Sequence, residues 1–125
     1  MTKAQALHAF YSSFGLRAFE SSSVPTGEDA PGFPYLTYDY AEDSFGVQVA
    51  LSMSLWYRST SWVEANGKAA EISEKIGRGG VFLPCDGGCV WLRRGSPFSQ
   101  SMGDNTDNMI RRKYINITAE FLTAD

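Results

Sequence analysis

Between residues 47 and 76 the hydrophobic pattern changes its period. In Val47-Gln48-Val49-Ala50-Leu51-Ser52-Met53-Ser54-Leu55-Trp56-Tyr57 every odd position is apolar or aromatic, and the even positions are mostly small or polar. That alternation predicts a strand with one face in a core. Ser52 and Ser54 leave the other face half wet, as an antiparallel sheet allows. From Trp62 onward the apolar residues Trp62, Ala65, Ala69, Ile72 and Ile76 recur at three and four positions, which is the stripe of a helix. The spacing predicts a helix over 61–76, opened by a Ser61/Glu64 capping box and ended by Gly77. Glu64 with Lys68, and Glu71 with Lys75, are expected to pair on its outer face. Gly67 costs about 1 kcal/mol relative to Ala in mid-helix, and a closely approaching neighbouring backbone would be one reason to keep it. The helix is expected to lie across the sheet that holds strand 47–57, with Trp62 in the core.

On the N-terminal side, Leu7, Phe10, Tyr11 and Phe14 form a second helical stripe. A Thr2/Gln5 capping box opens it and Gly15 closes it, so a helix is predicted over 3–14. His8, the single histidine, lies beside the stripe and reads as a helix-surface residue. Residues 16–19 are expected to form a short edge strand. Residues 20–34, rich in Ser, Pro, Gly and acid, read as a solvated loop. Residues 35–41 alternate again, with Leu36, Tyr38 and Tyr40 on one face. The turn Glu42-Asp43-Ser44-Phe45-Gly46 predicts a hairpin with strand 47–57.

After the central helix, Gly77-Arg78-Gly79-Gly80 reads as a flexible link rather than a phosphate loop. It follows a helix C-terminus instead of preceding an N-terminus. Asp86-Gly87-Gly88 predicts a hairpin between 81–84 and 89–94, with a three-residue loop that sets Cys85 opposite Cys89. Residues 95–108 read as a second long loop with Phe98 and Met102 as its large apolar residues. Residues 114–122 alternate as a last strand, with Ile115, Ile117, Ala119 and Phe121 on one side. These elements predict an α+β fold in one domain over residues 1–125. Its core is a mainly antiparallel sheet with two helices packed against it, in the order helix–strands–helix–strands.

Composition narrows the function. The 125 residues are 43% hydrophobic and carry a net charge of −3, so nothing draws the whole chain toward nucleic acid or an anionic membrane. No apolar run approaches the length of a membrane span. The N-terminus lacks a secretory h-region, which makes a cytoplasm the default place of synthesis. Two cysteines and a distant histidine are too few ligands for a zinc site, and they are expected to be reduced. There is no nucleophile triad, P-loop or dinucleotide fingerprint, and the carboxylates are scattered. No cofactor and no catalysis are expected.

Five basic residues stand out in this acidic protein. Arg93, Arg94, Arg111, Arg112 and Lys113 flank the 95–108 stretch. Read sharply, they form a docking patch for an acidic partner or for passing nucleic acid, in which Phe98 and Met102 anchor a mobile loop that orders on contact while the cations steer association. Read blandly, they are edge charges on alternating sides of two strands.

The order of elements resembles the tail terminator (tail completion) proteins of long-tailed bacteriophages. The likeness rests on the Phe33-Pro34-Tyr35 entry and the aromatic strand end Leu55-Trp56-Tyr57-Arg58-Ser59. It also rests on the polar strand Tyr114-Ile115-Asn116-Ile117-Thr118-Ala119-Glu120-Phe121. The resemblance implies a virion protein at the head-proximal end of the tail, assembled in the host cytoplasm. It implies a ring of copies of this chain, commonly a hexamer, on the last disc of the tube. Its partners would be the major tail tube protein and a neck or head-completion protein. DNA would pass through the lumen as cargo, and no membrane would be involved. A head–tail connector or neck adaptor is the alternative within virions. A small cytoplasmic ligand-binding domain is the alternative outside them.

Overall fold

The computed structural model describes residues 1–124. Eight principal elements follow one another: α1 (Lys3–Ser12), β1 (Arg17–Glu20), β2 (Tyr35–Tyr38), β3 (Gln48–Arg58), α2 (Val63–Ile76), β4 (Val81–Cys85), β5 (Gly88–Met102) and β6 (Ile110–Thr123). The strands form one six-stranded sheet in the order β1-β2-β3-β6-β5-β4. All neighbours are antiparallel except β1 and β2, which are parallel. This is the predicted α+β class. Both helices pack on one face. α1 touches β1 at one edge of the sheet and β4 at the other, so the sheet curls around it and leaves its convex face bare.

The core is built from the residues that the periodicities selected. Leu7, Phe10, Tyr11 and Phe14 from the N-terminal segment meet Leu51, Met53, Leu55 and Tyr57 of β3 and Ile115, Ile117, Ala119 and Phe121 of β6. Ala65, Ala69, Ile72 and Ile76 close the layer from α2. The Thr2/Gln5 capping box is formed: Thr2 Oγ1 accepts from the Gln5 amide at 3.1 Å, and Gln5 Oε1 accepts from the Thr2 amide at 2.9 Å. β2 stops at Tyr38 rather than residue 41. Tyr40 nevertheless packs on the core, edge-on to Phe121.

Several expectations are corrected around α2. The helix begins at Val63, and no side chain caps it in the expected way. Ser61 Oγ accepts from the Val63 amide instead, and Trp62 is half-buried at the helix entrance rather than central in the core. Lys68 pairs with Glu71, three residues on, and not with Glu64. Its Nζ also donates to the Phe14 carbonyl, so it ties α2 to the end of the first helical segment. A Cβ on Gly67 would meet nothing within 4 Å, so close approach within this subunit does not explain that glycine. The Gly77–Gly80 link is instead tightly placed at its end. Gly80 has φ +86°, and a Cβ there would lie 2.4 Å from the Leu92 carbonyl oxygen.

The β4–β5 hairpin has a two-residue turn. Cys85 pairs with Gly88 and Cys89 with Pro84. The cysteines are therefore not cross-strand partners. Alternation sends them to opposite faces of the sheet, and both are free thiols. Burial, then the neighbouring Cys89 and Asp86, push the Cys85 thiol above its ordinary pKa.

The largest correction concerns residues 95–108. Most of this stretch is strand. β5 runs on to Met102 through an irregularity between Arg94 and Ser99, and Ser99 to Met102 pair with Ile115 to Arg112. β6 is long, and its backbone groups need partners along its whole length. That requirement outweighs the low strand propensity of a Gly/Ser/Pro sequence. Gly95 sits so close to β6 that a Cβ would come within 2.8 Å of Asn116, and Asn116 Nδ2 donates to the Pro97 carbonyl at 2.8 Å.

The remaining connection is short and tied down. Asp104 Oδ1 accepts from the amides of Thr106 (2.8 Å) and Asp107 (3.1 Å), and Asp107 pairs with Arg58 at 2.9 Å. Asp104 is held below the ordinary carboxylate pKa by its Thr106 hydrogen bonds. Asp107 is held below it by the Met109 amide and then by Arg58. A long mobile loop is thus not what the chain forms here.

Candidate interaction surface

The bare face carries its side chains in rows set by strand register. One row crosses five strands: Arg17, Tyr35, Trp56, Arg112 and Met102 are successive partners on β1, β2, β3, β6 and β5. Tyr35 and Trp56 stack with ring centroids 6.0 Å apart and planes 12° from parallel. Arg112 lies with its guanidinium carbon 4.8 Å from the Trp56 ring centroid and 5.5 Å from that of Tyr114. The adjoining row holds Phe19, Thr37, Ser54, Tyr114 and Gln100. The two rows are linked by hydrogen bonds. Trp56 Nε1 donates to Thr37 Oγ1 at 2.9 Å, and Arg112 Nε donates to Ser54 Oγ at 3.0 Å.

Residues Ser21 and Val24, just beyond β1, form a rim over these rows. The result is a cleft of about 380 Å³ lined chiefly by Tyr35, Thr37, Asp39, Trp56, Arg112 and Tyr114. At its far side the Asp39 carboxylate accepts a hydrogen bond from the Ser52 hydroxyl. Burial raises the pKa of Tyr35, and its phenol is a potential hydrogen-bond donor in the cleft.

The five basic residues do not form one patch. Arg94 turns toward the helices and donates to Ser73 Oγ (2.9 Å) and the Gly77 carbonyl (3.2 Å) at the C-terminal end of α2, where a cation complements the helix dipole. Arg111 and Lys113 also lie on the helix side, over the Trp62 ring. Lys113 Nζ donates to Asn66 and Ser101, and Arg111 to the Asn108 carbonyl. Arg93 and Arg112 reach the bare face but stand apart. Arg93 aligns with Thr118, six residues along β6 from Arg112, or about 20 Å at strand rise. Arg93 is paired with Glu120 at 3.1 Å and lies over Trp91. Alternation along the strands explains the dispersal, although β5 and β6 are interior strands of the sheet and not edges.

The two apolar anchors also separate. Phe98 packs on the core cluster, whereas Met102 ends the Tyr35–Trp56–Arg112 row. Tyr35, Trp56 and Tyr114 are the residues that sequence reasoning left out of the candidate surface. The available signal was Trp56, a large aromatic on the phase of β3 that otherwise carries small and polar residues.

His8 is exposed, with Nδ1 2.8 Å from the Tyr38 hydroxyl oxygen. Among the described residues no group of three or more His, Cys, Asp and Glu is placed to hold a metal ion. No helix among them is long and apolar enough to cross a membrane.

No family model matches this chain, and neither does any curated protein. The fold is similar to that of a chain in a solved structure described as "Virion of native gene transfer agent (GTA) particle", with a TM-score of 0.55 and 20% sequence identity. The match covers 95% of this chain and 90% of that one. At that identity the likeness is one of fold.

Proposed function

We propose that this chain is a structural subunit of a phage-like virion, and within it the tail terminator. In this role copies of the chain close a ring, six in the family it resembles, on the head-proximal end of the tail tube. The ring ends tube growth and presents the surface on which the neck or head-completion protein docks. Its work is mechanical, without catalysis or a cofactor, and DNA crosses the lumen as cargo. The observation that carries the reading is the fold likeness to a chain from a gene transfer agent virion, because it runs nearly end to end in both chains. The resemblance in the sequence adds the position in the tail. The bare face supports an interaction role. Its partly exposed Tyr, Trp, Arg and Met residues are the types enriched where proteins bind one another.

The test is removal of the protein from a phage that encodes it, with particles measured by electron microscopy. Tails of uncontrolled, excessive length that fail to join heads are expected. Tails of normal length that stay headless would instead assign the chain to the neck. Normal tails joined to heads would overturn both assignments.

A further inference from the structure

We propose that the cleft on the bare face is a binding site for a carboxylate side chain carried by an extended protein segment, with Arg112 as its anchor. The inference is independent of the virion role and would hold for a subunit of any other assembly.

The neighbouring cations of β3, β5 and β6 already have partners. Arg93 has Glu120, Arg58 has Asp107, and Arg94 and Arg111 have main-chain carbonyls. Lys113 has two side-chain oxygens. Arg112 differs from all of these. Its Nε is fixed by Ser54 and its plane is flanked by Trp56 and Tyr114, yet its two terminal nitrogens have no acceptor among the described residues. A guanidinium held this way keeps its fork aimed before any ligand arrives, so little side-chain freedom remains to be lost on binding. Two parallel N–H groups match the two oxygens of a carboxylate.

The surroundings favour a protein ligand. The stacked Tyr35/Trp56 pair beside the guanidinium is a flat apolar ledge for the stem of a Glu, or for the next side chain of an extended segment. The other polar groups of the cleft largely satisfy one another, Trp56 with Thr37 and Asp39 with Ser52. They therefore demand little from the ligand. A nucleic-acid backbone needs a run of cations to follow its phosphates. This cleft is lined by one guanidinium and by the Asp39 carboxylate, so it offers no run of cations for a phosphate backbone to follow, whereas a single carboxylate needs only one.

The test uses the whole ¹⁵N-labelled chain and two probe peptides, acetyl-Gly-Glu-Gly-amide and acetyl-Gly-Gln-Gly-amide, followed by NMR. The Glu peptide is expected to move the Trp56 indole and Arg112 Nε–H signals to saturation. The Gln peptide is expected to bind at least about tenfold more weakly, the loss that follows from removing one charge-assisted contact. Arg112→Gln should reduce the Glu peptide to the level of the Gln peptide. Arg111→Gln, on the covered face, should change nothing. The comparison of the two peptides on the unmodified chain decides the matter even if Arg112→Gln fails to fold. Equal affinity for both peptides, shifts that centre on Trp91 instead of Trp56, or no saturable shift would overturn the proposal. Tighter binding of an eight-nucleotide oligo(dT) at the same signals would overturn it in favour of single-stranded nucleic acid.

Discussion

The two faces of the sheet are made by the same strands, often by adjacent residues, and they do different work. On β6 the odd positions Ile115, Ile117, Ala119 and Phe121 are almost completely buried under the helices, while Arg112, Tyr114, Asn116 and Thr118 on the even positions are only half-buried. The covered face holds apolar contacts that hardly depend on orientation. The bare face is organised by directed contacts: stacked rings, a guanidinium over indole, and hydroxyls satisfying N–H groups. Stability should therefore reside on one face and recognition on the other.

Deleting one large side chain from each face is the strongest way to break that comparison. Phe121→Ala removes a ring with no solvent exposure and should cost about 3–5 kcal/mol in urea unfolding. Tyr114→Ala, on the neighbouring phase of the same strand region, should cost about 1–2 kcal/mol, within the range for half-buried positions. Equal losses would mean that the bare face carries as much of the fold as the covered one.

The covered face also holds a buried hydroxyl, and it sharpens the contrast. The Tyr11 hydroxyl is fully buried without a hydrogen-bond partner. Burial, and then the proximity of Tyr38 and Asp39, raise its pKa far above the ordinary tyrosine value. An unsatisfied buried hydroxyl is destabilising, so Tyr11→Phe should stabilise the protein by about 1 kcal/mol at pH 7. The effect should grow in alkali. Above pH 10 the unfolded chain releases this proton and the folded one keeps it, so the native protein loses stability as pH rises. The contribution of this group is about 1.4 kcal/mol per pH unit. Urea titrations at pH 7 and pH 11 should show Tyr11→Phe lacking that part of the loss. An unchanged alkaline slope would mean that the hydroxyl has a path to solvent.

The covered face was legible in the sequence because a single rule produces it. Leu51, Met53 and Leu55 alternate, Ala65, Ala69, Ile72 and Ile76 follow the helical period, and burial follows the period in both. The bare face was not legible. Tyr35, Trp56 and Arg112 are separated along the chain and meet only through the register of three strands, which no local pattern encodes. Residues 95–102 misled for the opposite reason. Their composition is that of a loop, yet the unpaired length of β6 recruits them as strand. The basic cluster was visible as a cluster, but alternation distributes its members between faces, and only Arg112 joins the candidate site.

Gly67 tests whether the outer surface of α2 belongs to the stability side of this division. The residue sits in the helix interior, exposed, with open space where a Cβ would be. Its neighbour Asn66 is held by Lys113 through its side chain, not through the main chain at Gly67. Nothing within the subunit therefore opposes a methyl group, and only backbone entropy and helix propensity remain. Both favour Ala by about 0.5–1 kcal/mol. Gly67→Ala should raise the urea midpoint of the isolated chain by a corresponding small amount and leave the m-value unchanged. A lower midpoint would mean that α2 does not present this side to solvent and that a backbone does approach it. A higher midpoint would confine the glycine's value to contacts made outside the folded subunit.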